Sequence, residues 1–127
     1  MKEITQEELA EELPKLKGKN ILVIFSADSC KWCQRLKSHL ADGALLKFCE
    51  ENSIVLFQVK LPPKKDEICT EGACKITART KYDIKAIPTA VLIDDTGSVV
   101  AQTGYLDNVD AEGSIAYSKW IDSNLLF

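Results

Sequence analysis

Apolar positions recur along the chain in two rhythms, and these divide it into strands and helices. Ile21-Leu22-Val23-Ile24-Phe25 is an unbroken β-favouring run, the pattern of a strand covered on both faces of a sheet. Ile54 to Leu61 reads as a second strand and Thr89 to Ile93 as a third. Asp94-Asp95-Thr96-Gly97 is a turn and Ser98 to Thr103 a fourth strand, so these last two form an antiparallel hairpin. Elsewhere the spacing is helical. Cys33, Leu36 and Leu40 fall on the inner face of a helix that begins at Cys30. Asp42-Gly43 kinks or ends it, and Ala44 to Asn52 resumes with Leu45, Phe48 and Cys49 inward. The final helix starts near Asn108, where Asp110 and Glu112 suit its positive end. Ala116, Trp120, Ile121 and Leu125 form its expected buried stripe.

Local signals fill in the rest. Thr5 and Glu8 make a capping box. The helix it opens runs to about Leu13, where Pro14 stops it. Lys15 to Asn20 is a polar connection, and Pro62-Pro63-Lys64-Lys65-Asp66 is a surface loop. The stretch Cys69-Thr70-Glu71-Gly72-Ala73-Cys74 has no clear period, and a helix is expected over Ile76 to Tyr82. The order is helix, strand, helix, strand, helix, strand, strand, helix. A strand–helix–strand unit pairs its strands in parallel, and the hairpin adds antiparallel ones. The expected fold is α/β, a mixed central sheet with helices on both faces. No repeat, low-complexity tract or boundary interrupts the chain. Residues 1–127 read as one domain, with the helix over 5–14 as an extension of its core.

Composition narrows the function classes. The chain has 127 residues, 46% apolar and 28% charged, the profile of a globular domain able to bury one core. The formal net charge is −3, with both signs mixed, which argues against a nucleic-acid or anionic-membrane surface. No apolar run approaches the roughly 18 residues of a membrane span. The opening Met1-Lys2-Glu3-Ile4-Thr5-Gln6-Glu7-Glu8 is acidic and reads as helical, unlike a signal peptide. The expectation is a cytoplasmic protein, or an exported one whose signal has been removed. No apolar stripe is left over to demand a second copy, so a monomer is expected.

The candidate chemistry lies in Ser29-Cys30-Lys31-Trp32-Cys33, between the first strand and the helix after it. A Cys-X-X-Cys pair at that junction is the sequence form of a dithiol redox centre. A helix N-terminus has unpaired N–H groups and a partial positive charge of about half a unit, so it favours an anion. The thiolate, the attacking species, is such an anion. Cys30 and Cys33 are three residues apart and so share a helix face. Cys30, at the tip, would attack a disulfide, and Cys33 would resolve the mixed disulfide. The plain alternative is two ordinary core cysteines.

Taken with Tyr82-Asp83-Ile84-Lys85-Ala86-Ile87-Pro88-Thr89, followed by a strand, a turn at Gly97, a strand and Gly104, the chain from Asn20 onward resembles the thioredoxin superfamily. The resemblance implies a thioredoxin-like fold and a protein disulfide reductase or isomerase. It needs no bound cofactor and exchanges electrons with disulfide or dithiol proteins, including an upstream redox partner. It implies a cis peptide at Ile87-Pro88, with Pro88 beside the dithiol, shielding the sulfurs from metals, and the Ile87 backbone able to pair with an extended substrate. The chain departs from the family in three places. Ser29 stands where Trp is common, Lys31-Trp32 replaces Gly-Pro, and Ile24 occupies the place of a buried Asp that helps deprotonate the second cysteine. Lys60 is the candidate substitute for that Asp.

Other residues carry two readings each. Lys31 and Arg35 either add to the field around Cys30 or are plain solvated charges. Trp32 either grips a partner at the site rim or packs on a neighbouring loop. Ser29 suits the cap before Cys30. His39, the only histidine, lies about 180° from the Cys30 face and reads as a surface residue. Cys49 reads as a small buried hydrophobe. Cys69 and Cys74 close a loop disulfide, form a second redox pair, or stand as independent thiols. Together with Cys30 and Cys33 they would supply four thiolates for zinc. The 35 residues between the pairs are too many for a compact zinc ribbon, so no metal is expected. Outside redox chemistry, the competing function is a binding or chaperone module that uses the Trp32 and Pro88 surface.

Overall fold

The structure is a computed structural model that describes residues 2–27, 30–61 and 81–125. Five strands form one sheet: β1 (Lys2–Thr5), β2 (Asn20–Ser26), β3 (Ile54–Lys60), β4 (Thr89–Ile93) and β5 (Val99–Thr103). Their order across the sheet is β1-β3-β2-β4-β5. β3 pairs in parallel with both β1 and β2, and β4 pairs antiparallel with β2 and β5. The helices are α1 (Gln6–Glu12), α2 (Lys31–Leu40), α3 (Ala44–Glu51), α4 (Val109–Glu112) and α5 (Ile115–Asn124). The fold is thioredoxin-like, of the α/β class, with a mixed sheet.

β2 occupies the middle of the sheet, which accounts for its unbroken apolar run. Leu22 and Ile24 join one core with Leu36 and Leu40 of α2, Leu45 and Cys49 of α3, and Tyr117 and Ile121 of α5. Ile21, Val23 and Phe25 join the other with Leu9 of α1, Tyr82 and Ile84. Alternate residues of a strand point to opposite faces, so a strand covered on both sides must be apolar at every position.

The structure departs from the sequence reading in several places. Residues 2–5, expected to lead into a helix, form β1 instead. The strand is made by its partner: Ile4 sits opposite Val59 and is buried. The Thr5–Glu8 capping box is present, with Glu8 N–H donating to Thr5 Oγ1 at 3.1 Å. The α-helix ends where Pro14 is expected to stop it: α1 closes at Glu12 with Leu13 as its C-cap. What the sequence did not show is the 3-10 turn over Leu13–Leu16 that follows, with Pro14 near its start, where a missing N–H costs nothing. The last helix is two. Gly113, at φ +79°, separates α4 from α5. A side chain there would collide with the Asp42 carboxylate. That carboxylate accepts from Ser114 N at 2.9 Å and from Ala44 N at 2.9 Å, and the Ser114 hydroxyl also donates to it. One carboxylate therefore ties the α2–α3 break to the α4–α5 break. Ser114 Oγ accepts from Leu45 N at 2.9 Å, and these bonds hold the Asp42 carboxyl below its ordinary range.

Three residues of the expected stripe, Ala116, Ile121 and Leu125, are buried; Tyr117, absent from that stripe, is fully buried with them, while Trp120 is only half-buried. The loop at 62–66, the Cys69–Cys74 segment and nearly all of the helix expected over 76–82 lie outside the described residues, as does Ser29.

Candidate active site

The site forms where β2 hands over to α2. Cys30 is the N-cap of α2, with extended backbone (φ −90°, ψ 114°). Its sulfur takes the role expected of Ser29, accepting the Cys33 N–H at 3.2 Å. That is an orphan donor of the first turn aimed directly at the sulfur. On its other side, the Cys30 thiol donates to Ile87 O at 3.6 Å. Ile87 is joined to Pro88 by a cis peptide. Thr89 Oγ1 donates back to Ala86 O at 2.5 Å, closing the turn that carries the proline. Gly104 comes up against the Pro88 carbonyl, which a Cβ there would meet at 3.6 Å. Cys30, Cys33, Ile87 and Pro88 are therefore brought to one place from two distant segments.

The two cysteines sit in different surroundings. Both are free thiols, Cys30 half-buried and Cys33 buried. Burial, reinforced by the hydrogen bond and charge interaction with Cys30, pushes Cys33 up from its ordinary 9.0 to about 12. Ile24 lies in the apolar core. Lys60 is an exposed residue at the end of β3, opposite Ser26. Cys49 is a buried hydrophobe beside Leu45, and burial raises its thiol to about 11.

A second cluster lines the rim. Trp32 and Lys31 are exposed on the first turn of α2. The Trp32 ring lies 5.1 Å from that of Tyr105, tilted by 60°. The ring therefore packs on the loop residue Tyr105, as one of its two expected readings had it, while staying exposed. Arg35 is not simply solvated. It lies over the Trp32 ring at 5.3 Å and grips Asp110 of α4 with both Nε (3.0 Å) and Nη2 (2.8 Å). His39, one turn on, reaches the same carboxylate at 3.0 Å, and the Tyr105 hydroxyl donates to it as well. His39 stands at the surface as expected, half-buried, and is a partner in this network. The Tyr105 bond, then those from His39 and Arg35, hold Asp110 below the ordinary carboxylate range.

Tyr105, Asp110 and Tyr117 escaped the sequence reading as site residues. Tyr117 positions the loop bearing Tyr105, donating its hydroxyl to Gly104 O at 2.9 Å and accepting from Leu106 N at 3.3 Å. The only advance signal was the i, i+4 spacing of Arg35 and His39, which puts them on one helix face.

Among the described residues, no three His, Cys, Asp or Glu side chains converge as a metal site. Cys69 and Cys74 lie outside those residues. No described helix is long and apolar enough to cross a membrane.

The profile of a thioredoxin-like domain matches residues 8–118. The chain belongs to the thioredoxin-like domain family. Solved structures agree on the fold. Fasciola hepatica thioredoxin is 24% identical, with a TM-score of 0.61 over 92% of this chain and 98% of its own. The DsbH oxidoreductase is 21% identical, with a TM-score of 0.66 over 98% of this thioredoxin-like chain and 84% of its own. Reduced Schistosoma mansoni thioredoxin pre-protein is 20% identical, with a TM-score of 0.61 over 97% and 96%. No curated protein matches the sequence. A thioredoxin-like fold carrying a Cys30-X-X-Cys33 pair is consistent with thiol–disulfide oxidoreductase chemistry.

Proposed function

We propose that this chain is a thiol–disulfide oxidoreductase acting on protein disulfides, with Cys30 as the attacking and Cys33 as the resolving thiol. The observation that carries the reading is the position of the Cys30 sulfur. It caps α2, accepts the Cys33 N–H, and touches the Ile87 carbonyl beside cis-Pro88. That places the sulfur at a helix N-terminus, half-buried and within reach of a substrate. Ile87 and Pro88 supply backbone against which an extended substrate can lie.

In the forward direction, the Cys30 thiolate attacks one sulfur of a substrate disulfide. A Cys30–substrate bond forms, the substrate S–S bond breaks, and the departing thiolate takes a proton. Cys33, once deprotonated, attacks Cys30, breaks the mixed disulfide and releases the second substrate thiol. The substrate gains two electrons and two protons, and the Cys30–Cys33 dithiol becomes a disulfide. In reverse, the same pair oxidises a dithiol.

Cys30→Ser abolishes exchange, while Cys33→Ser accumulates a mixed disulfide visible on a non-reducing gel. Failure of Cys33→Ser to trap any disulfide protein counts against the mechanism. The reduction potential, measured in a glutathione or dithiothreitol series with the other three cysteines changed to Ser, assigns direction. A value near about −270 mV marks a reductase, and about −180 to −120 mV an isomerase or oxidant. The exposed Trp32 ring favours the alternative of a holding module only if the double Cys→Ser variant keeps full function.

A further inference from the structure

Asp110 is distant from Cys30 in sequence and one contact removed from its rim. Its carboxylate receives Arg35, His39 and Tyr105. Two of these three, Arg35 and Tyr105, also pack on Trp32, which sits on the first turn of α2 beside Cys30. The guanidinium lies within 6.0 Å of the Tyr105 centroid as well. Both rings therefore share one cation, and that cation is fixed by one carboxylate.

We propose that Asp110 is a positioning residue of the rim. By holding Arg35 and Tyr105 against Trp32, it preforms a ring-lined face that selects disulfides flanked by an apolar or aromatic side chain. The proposal rests on the reading of Cys30–Cys33 as an exchange centre and names its substrate class. Three features support it. Trp32 is 51% exposed even though its neighbours hold it in place. The Arg35 fork is committed to Asp110, so Arg35 holds the rings in place rather than standing open to an acidic partner. Side chains ordered in advance spare a bound segment the entropy of ordering them, and Trp, Tyr and Arg are the residue types that dominate binding hot spots. The network is solvent-exposed, and exposed ion pairs contribute little to folding. Its consequence is therefore geometric, and Asp110 variants are expected to fold.

The test uses two peptide disulfides that differ in one residue beside the reacting cystine, Phe in one and Gly in the other. Wild-type protein is expected to show a KM about tenfold lower for the Phe peptide. In Asp110→Ala that ratio falls to about twofold through the Phe KM, with kcat within about twofold of wild type. Asp110→Asn keeps a carbonyl acceptor for Arg35 and falls between. Acrylamide quenching of Trp32, read in a Trp120→Phe background, increases in Asp110→Ala. Equal KM values for the two peptides in wild type, or an unchanged ratio in Asp110→Ala, overturn the proposal. Exchange with neither peptide sinks the redox reading itself and takes the proposal with it, an outcome visible before any variant is made.

Discussion

The two faces of α2 are built on different principles. The inner face, Cys33, Leu36 and Leu40, is buried against the sheet. It is held by apolar area, which is non-directional and additive over many contacts. The outer face, Trp32, Arg35 and His39, is held by one distant carboxylate and one tyrosine. Directional bonds in water contribute little to stability but fix geometry. The helix is anchored by one side and, under the proposal above, shaped for a substrate by the other, and Cys30 caps its tip.

The largest expected effect comes from the inner face. Leu36 is 2% exposed and packs in the same core as Ile24 and Tyr117. Leu36→Ala removes its buried methyl groups and leaves a cavity, costing about 2–5 kcal/mol. Urea unfolding measures this directly. A loss under about 1 kcal/mol would mean that the inner face is not the anchor, and the contrast between faces would collapse.

The next effect is chemical and also belongs to the inner face. Burial is the leading cause of the rise of Cys33 to about 12, and it persists when Cys30 is tied up in a mixed disulfide. The thiolate fraction of Cys33 then grows with pH throughout the neutral range. Resolution of a preformed Cys30 mixed disulfide is expected to quicken about tenfold per pH unit between about pH 7 and pH 9. Stopped-flow single turnover reads this. A rate already flat at neutral pH would reveal a proton acceptor for Cys33. The same burial has a stability consequence with a definite sign. A thiol kept neutral by folding stabilises the protein below its ordinary 9.0, and that contribution is lost as pH climbs toward about 12.

The inner face could be read from sequence and the outer could not. Cys33, Leu36 and Leu40 repeat at helical spacing, and β2 announces its double burial through five consecutive apolar residues. Both patterns are local. The meeting of the Cys-X-X-Cys pair with Ile87-Pro88 could be expected because residue type and order carry the resemblance. Arg35 meets Asp110 across 75 residues and His39 meets it across 71, and nothing local marks a carboxylate as the target of both an arginine and a histidine. β1 escaped for a similar reason: it has one core residue, Ile4, and becomes a strand by lying along β3. Tyr117 escaped because its hydroxyl is satisfied by loop backbone that sequence does not place beside it.

The smallest effect isolates what makes the outer face work. Lys37 also projects from α2, and it pairs with Glu3 of β1 at 3.8 Å with both side chains well exposed. Like Arg35, it links the helix to a remote element through opposite charge. Unlike Arg35, it has a single long contact, no shared acceptor and no aromatic ring against it among the described contacts. Screening and side-chain entropy remove most of the value of such a pair. Lys37→Ala is therefore expected to move the melting midpoint by less than about 1 °C and to leave the Phe-over-Gly peptide ratio unchanged. A Lys37 effect on that ratio comparable to that of Asp110 would mean that any positive charge on this face suffices. Substrate preference would then come from the diffuse field of α2, and the convergence of Arg35, His39 and Tyr105 on one carboxylate would be incidental to it.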